Sequence, residues 1–369
     1  MTKVIVSVFN NLLTDQRVEK ICKTLYDNGY QVELIGSSWD GLPELKRPYP
    51  FTRISLKSKS LKFAYVEYNL KLYKLLRSKA KENCILVAND LETIYPNLLI
   101  SKKKKLPLIY DSHEIFTEMP SLQGKWTKRI WQLLEEYCIP NLKYMMTANA
   151  SYADWYAKKY HIKMPLVIRN LPMKMSLNPE VHNSENNPKI ILYQGAINPS
   201  RGLDKVIPAM KWIDNAVLWI VGGGPKYTEY VELTKKLNLL DKVKFLGKKH
   251  PTELRAITPK ANVGLSIEEN GGLSYYYSLP NKISDYIQVG VPVVCSDFPE
   301  MKKIISQYKV GETIKNHSEQ ELAEKISLVL KRGKSVYQNE LNRAAQDLCW
   351  ENETPKLLQL YEKVVQENF

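Results

Sequence analysis

The chain has 369 residues, 44% hydrophobic and 25% charged, with 20 Pro and 16 Gly. At roughly 100 to 200 residues per domain this predicts two domains with a core each, and it excludes a disulfide-stapled miniprotein, a low-complexity chain and wholesale disorder. The net charge of +14 is uneven: residues 1–172 carry 27 Lys and Arg against 16 Asp and Glu, residues 173–369 carry 26 against 23, so the first half is expected to meet a polyanion, whether nucleic acid, an anionic membrane face or a phosphorylated substrate.

Val4 to Phe9 reads as a short buried strand, followed by a polar loop and an amphipathic helix with Val18, Ile21, Cys22 and Leu25 on one face, which Gly29 ends. Gln31 to Ile35 is a second strand, so the chain opens with a βαβ unit. The alternation continues with a strand at 84–88, a helix at 93–101, a strand at 108–111, a helix at about 126–139 and a strand at 144–148. Residues 170–188 are polar and rich in Asn and Pro, which predicts a domain boundary there. Beyond it, strands are expected at 190–193, 216–221, 243–246, 263–266 and 291–295. Helices are expected at 202–210, 227–237, 251–257, 280–289, 319–331 and, as one long stretch reaching back over the first domain, 337–365. The reading is α/β, with two Rossmann-like doubly wound domains at 1–172 and 173–369.

The five cysteines are scattered and form no C-x-x-C pair, so reduced core thiols are expected, and no metal site. The first apolar run is about six residues, shorter than a signal-peptide core, and none approaches the ~20 needed to span a bilayer. A cytoplasmic chain, soluble or peripheral at the inner membrane face, is therefore expected. Neither G-x-G-x-x-G nor G-x-x-x-x-G-K-[ST] nor HExxH occurs, which disfavours nicotinamide enzymes, P-loop ATPases and metalloproteases. No recognised nucleic-acid motif accompanies the charge, so nucleic acid is not the expected partner.

Two segments carry the chemistry. Gly222, Gly223 and Gly224 follow a predicted strand and precede a helix, where bare backbone can approach an anion, though glycine triplets also serve as turns. The run SLPNKISDYIQVGVPVV (278–294) places Pro280 at a helix start and Lys282 and Asp285 in its first turns. A lysine there neutralises a phosphate, and a carboxylate one turn later can accept both hydroxyls of a ribose.

These runs, together with TDQRVEKICKTLYDNGYQVELI (14–35), LIYDSHEIFTEMP (108–120), LYQGAINPSRGLDKVIPAM (192–210), LWIVGGGPKY (218–227) and KVKFLGKKHPTEL (242–254), resemble in order the family 4 (group 1) glycosyltransferases of the GT-B fold. The resemblance implies two Rossmann-like domains facing a central cleft, the first for the acceptor and the second for the donor. It also implies sugar transfer from a nucleotide-diphosphate sugar, a UDP- or GDP-sugar, with retention and no obligatory metal. The acceptor it implies is a saccharide or lipid-linked saccharide of a cell-surface polysaccharide. It casts Arg201 and Lys282 as catalytic cations around the diphosphate and His113 as a hydroxyl partner of the donor sugar. Gly222, Gly223, Gly224, Lys205, Asn281, Asp285 and Glu269 are cast as donor-binding residues. The sequence departs from the family where Tyr277 and Ala196 stand in place of the usual acidic and basic residues, so that Glu269 either serves the sugar pocket or is a solvated loop glutamate, and Arg201 shares the phosphate charge with Lys282 or Lys205. A sugar-nucleotide epimerase and a non-catalytic homologue binding an anionic membrane or polyanion are the alternatives. Lys125, Trp126, Lys128 and Arg129, with the basic, aromatic stretch 53–81, suit an anionic membrane interface or simply half-buried helices with solvated charged faces.

Overall fold

The computed structural model describes residues 2–39, 41, 43–175 and 187–369. Of the predicted boundary stretch, residues 176–186 lie outside the described residues. The chain divides into unit 1, residues 1–170 with 353–369, and unit 2, residues 171–352.

Unit 1 is built on seven parallel strands: β1 (Lys3–Ser7), β2 (Gln31–Ser38), β3 (Phe51–Ser55), β4 (Cys84–Asn89), β5 (Leu108–Ser112), β6 (Tyr144–Thr147) and β7 (Leu166–Val167). Their order is β3-β2-β1-β4-β5-β6-β7, so the chain reverses its direction of travel across the sheet between β1 and β4. At such a switch point the loops on the two sides diverge and leave a crevice at the strand C-termini. Five helices cross over: α1 (Gln16–Asp27), α2 (Leu61–Lys79), α3 (Leu91–Lys104), α4 (Thr127–Cys138) and α5 (Ala150–Tyr160). α1 starts where the Asp15 carboxylate accepts the Val18 amide, a side-chain N-cap of the ordinary kind.

Unit 2 repeats the plan with β8 (Lys189–Gln194), β9 (Ala216–Val221), β10 (Val243–Gly247), β11 (Val263–Ser266), β12 (Val293–Ser296) and β13 (Gly311–Ile314), ordered β10-β9-β8-β11-β12-β13 and all parallel. Its helices are α6 (Leu203–Ala209), α7 (Tyr227–Lys236), α8 (Pro251–Ile257), α9 (Leu273–Tyr276), α10 (Asn281–Gln288), α11 (Pro299–Tyr308), α12 (Glu319–Arg332) and α13 (Lys334–Asp347). The switch point is the β8–β11 boundary. Strand residues such as Ile191, Leu192, Leu218, Val263, Val293 and Val294 are wholly buried, as expected of a parallel sheet covered on both faces.

The expected long helix at 337–365 is instead α13 and α14 (Trp350–Asn368). The break is stabilised by Gln288, whose side-chain amide donates to Ala345 O and Leu348 O. In unit 1, α14 brings Tyr361 against Tyr30, ring centroids 5.8 Å apart, and Tyr144 donates to Glu367 at 2.6 Å. Lys102, Lys103 and Lys104 form the last turn of α3, where cations complement the helix dipole. Helices α2, α5 and α11 and strands β3, β7 and β13 were not marked by sequence periodicity. All five cysteines are free and buried. No described helix is long and apolar enough to cross a membrane.

Candidate functional site

In unit 2 the site grows from the C-terminal ends of β8 and β11. β11 leads through Ile267 to Glu268, a carboxylate with no solvent exposure. Its Oε1 accepts from Lys282 Nζ at 2.8 Å and from Arg201 Nη1 at 3.1 Å, and its Oε2 accepts from Ser266 Oγ at 2.8 Å. Burial alone would raise its pKa; Lys282 and Arg201 reverse that and hold it at about 2. The backbone is pinned as well: Glu268 O accepts from Ser296 Oγ at 2.6 Å and lies 3.0 Å from His317 Nε2. Two cations and one anion leave a surplus positive charge on this crevice.

Both cations sit on aromatic faces. Lys282, only 9% exposed, lies 4.3 Å from the centroid of Tyr193, and Arg201 stacks 4.5 Å from Tyr275 while Nη2 donates to its hydroxyl at 3.2 Å. Such contacts strengthen as water is excluded. Arg201 Nε is buried without a hydrogen-bond partner, an orphaned donor of a kind that native structures rarely leave. Arg201 is brought to Glu268 by Gly202, whose φ of +73° suits glycine and whose added Cβ would stand 2.2 Å from Ile267 O.

The 222–224 loop packs against the loop after β8. Gly195 N donates to Val221 O and Ile197 N to Gly223 O, both at 3.0 Å. A Cβ at Gly222 would fall 1.9 Å from Gly195 O, so this glycine is required by backbone packing. The Gly222 amide donates to Gly247 O at 2.9 Å, which corrects its expected use as an anion donor; Gly223 and Gly224 keep that expectation. Gly195 joins the loop to the cations, since its Cβ position lies 3.8 Å from Lys282 Nζ.

Of the other expected residues, Asp285 is half-buried on α10, 3.5 Å from the Gln194 side-chain amide, and Asn281 is exposed at the start of that helix. Lys205 pairs with Asp204 at 3.0 Å and does not join the Glu268 cluster. Glu269 donates its amide to Ser200 O and is half-buried; the carboxylate that engages the cations is its neighbour Glu268. Sequence reasoning missed Glu268. The available signal was the β11 alternation, which puts Ser266 and Glu268 on one side of the chain as it leaves the sheet. Tyr277 packs on Tyr276 at 5.1 Å.

Unit 1 has its own charged cluster at its strand ends. His113 Nδ1 lies 3.1 Å from Asp90 Oδ2, and Nε2 lies 3.1 Å from Asn89 Oδ1 and 3.3 Å from Asp111 Oδ2. Burial would lower the imidazole pKa, but Asp90 and Asp111 raise it to about 10, so the ring is a cation at neutral pH. Asp111 is held at about 2 against burial by Arg17 and His113, and Arg17 Nη2 reaches it at 2.6 Å. Both ring nitrogens are thus engaged within unit 1, where the resemblance implies a hydroxyl of the donor sugar as the partner. Trp126 is exposed immediately before α4, beside Lys125, Lys128 and Arg129; Lys128 pairs with Glu118 at 3.0 Å and Arg129 with Glu136 at 3.5 Å. No group of three side chains suited to a metal ion occurs among the described residues.

Residues 175–347 match the family model described as Glycosyl transferases group 1. Among curated proteins, the chain is 26% identical over 151 residues to chitobiosyldiphosphodolichol beta-mannosyltransferase of Candida albicans, covering 38% of this chain and 32% of that protein. The chain spans about a third or less of the curated relatives it matches. Among solved structures, sucrose-phosphate synthase from Thermosynechococcus elongatus superposes with a TM-score of 0.82 at 14% identity, both chains covered in full. Anabaena Alr3699/HepE in complex with UDP-glucose gives 0.73 at 14% identity, covering 98% of this chain and 100% of that one.

Proposed function

We propose, from the match of residues 175–347 to the group 1 glycosyl transferase model and from the GT-B fold, that the protein transfers a sugar from a nucleotide-diphosphate sugar to a saccharide or lipid-linked saccharide, with retention, in cell-surface polysaccharide synthesis in the cytoplasm. The observation that carries the reading is the buried pair Arg201 and Lys282 on Glu268, with its surplus positive charge and the orphaned Arg201 Nε. A departing diphosphate develops negative charge, and preorganised cations in a water-poor crevice stabilise it more in the transition state than in the ground state.

In this reading Arg201 and Lys282 meet the diphosphate, with Arg201 Nε supplying a further donor, and the amides of Gly223 and Gly224 complete the cradle. Asp285, one turn after Asn281 on α10, accepts the ribose hydroxyls. Glu268 is a positioning residue, because it sets the spacing of the two cations. In unit 1, His113 contributes a fixed positive charge at the strand ends, with both ring nitrogens engaged. Support for a nucleotide-sugar donor comes from the fold shared with a protein that binds UDP-glucose. Support for a lipid-linked acceptor comes from the name of the Candida albicans relative.

The test is a thermal-shift panel of UDP, GDP, ADP, CMP and dTDP on the full chain, since a ligand at about 100 times its Kd adds ~2.7 kcal/mol. One diphosphate should stabilise the protein and lose its effect in Lys282→Ala; no shift with any of them refutes the cradle. With the donor known, the anomeric configuration of the product by NMR decides retention.

A further inference from the structure

Outside the charged clusters, α2 and α4 of unit 1 carry large apolar side chains on their outer faces. Along α2 the outward residues are Phe63, Val66 and Leu70, and at the same helical spacing the stripe ends in Lys74 and Arg77. Along α4 they are Trp126, Ile130, Leu133 and Tyr137. These are strongly exposed: Phe63 by 70%, Leu70 by 63%, Trp126 by 69% and Ile130 by 54%. They are not the core faces of the helices, since α2 buries Ala64, Tyr68, Leu72 and Leu76 beneath.

The two stripes are neighbours. Tyr65 of α2 meets Trp131 of α4 edge-on at 5.2 Å, and Lys62 Nζ stands 5.1 Å from the Trp126 ring. α3 packs beside both and adds Tyr95, 6.4 Å from Tyr137. A surface that gathers this many large apolar side chains marks an interaction face, where scattered single residues would need no explanation.

Its charge identifies the partner. α2 carries five cations against one acid, Glu67, and that carboxylate is already engaged by Lys71 and by the amides of Lys57 and Ser58. Lys62, Lys74, Arg77 and Lys125 make no ion pair among the described residues. Apolar side chains framed by unpaired cations complement a layer with an apolar interior and anionic headgroups. A second copy of the chain would instead set cations against cations.

We propose that the α2–α4 face docks on an anionic lipid bilayer, with the Phe63, Leu70, Trp126 and Ile130 side chains entering the headgroup layer and Lys62, Lys74, Arg77 and Lys125 resting on its charge. This inference stands on unit 1 alone, so its failure leaves the nucleotide reading of unit 2 untouched.

The experiment is co-sedimentation of the full chain with vesicles of phosphatidylcholine alone or of phosphatidylcholine and phosphatidylglycerol at 3:1. Binding to the anionic vesicles should be at least tenfold tighter than to the neutral ones and weaken at 0.5 M NaCl. Phe63→Ser/Leu70→Ser/Trp126→Ser and, separately, Lys74→Gln/Arg77→Gln/Lys125→Gln should each lose at least tenfold, with melting temperature and diphosphate binding unchanged because all six residues are on the surface. Equal binding to both vesicle types, or none to either, overturns the proposal. So does a concentration-dependent dimer in gel filtration that the apolar triple variant abolishes without any vesicle binding, which would assign the face to a second copy.

Discussion

Replacing Glu268 by Gln tests the organising element of unit 2. The wild-type carboxyl titrates at about 2 in the folded protein against its ordinary 4.5. Between those values the unfolded chain binds the proton and the folded one does not, so acid favours unfolding there. At about 1.4 kcal/mol per pH unit the charged form contributes about 3.5 kcal/mol, fully present above pH 4.5 and lost as pH falls to about 2. The variant also leaves Arg201 and Lys282 in one buried site without their anion, a class of change that costs ~3–5 kcal/mol. At roughly 2–4 °C per kcal/mol for a domain the size of unit 2, its calorimetric transition should fall by about 6–20 °C at pH 7. Its decline between pH 4.5 and 2 should be shallower than in the wild type. Asp111, held down by Arg17 in unit 1, titrates in the same window, so the two units must be resolved as separate transitions or by hydrogen exchange at β11. A variant that melts within about 2 °C of wild type at pH 7, or keeps the full acid slope, would show that Glu268 is not the charged keystone.

Arg201→Ala and Lys282→Ala should each lower turnover at least tenfold once the donor is known, through lost stabilisation of the leaving diphosphate, and wild-type rates in both would remove them from the reaction. Gly222→Ala should lower the melting temperature and displace the 195–197 loop, because its Cβ would stand 1.9 Å from Gly195 O; unchanged melting and diphosphate binding would refute that packing role. The raised pKa of His113 means its protonated form stabilises unit 1 fully below about pH 6.5 and ceases to do so as pH rises through about 10. His113→Gln should flatten that alkaline loss in calorimetry between pH 7 and 10.5, and an unaltered profile would mean that the ring is neutral in the fold.

The alternation of short apolar runs with helical periods was enough to read two doubly wound α/β folds, because parallel strands buried on both faces must be continuously hydrophobic and their crossovers must be helices. Elements without that contrast were silent. β7 has two residues and β13 four, and α2 shows apolar residues on its outer as well as its inner face, which blurs a helical period. Arg201, Lys282 and Asp285 could be singled out from the sequence, since each lies within a few residues of a strand end or helix start.

Glu268 could not be named in this way. It is 67 residues from Arg201 and 14 from Lys282, and its distinction from the adjacent Glu269 depends on which way the chain turns as it leaves β11. The same holds for His113: a YDSHE segment marks it, but its lasting charge comes from Asp90, 23 residues earlier, whose backbone at φ +55° delivers the carboxylate to the ring. Local sequence determined which segments would be strands, helices and glycine turns, because those choices depend on neighbours three or four residues away. Only the tertiary structure decided which charges share a site, because burial and ion pairing are settled between residues that meet after the sheet has closed.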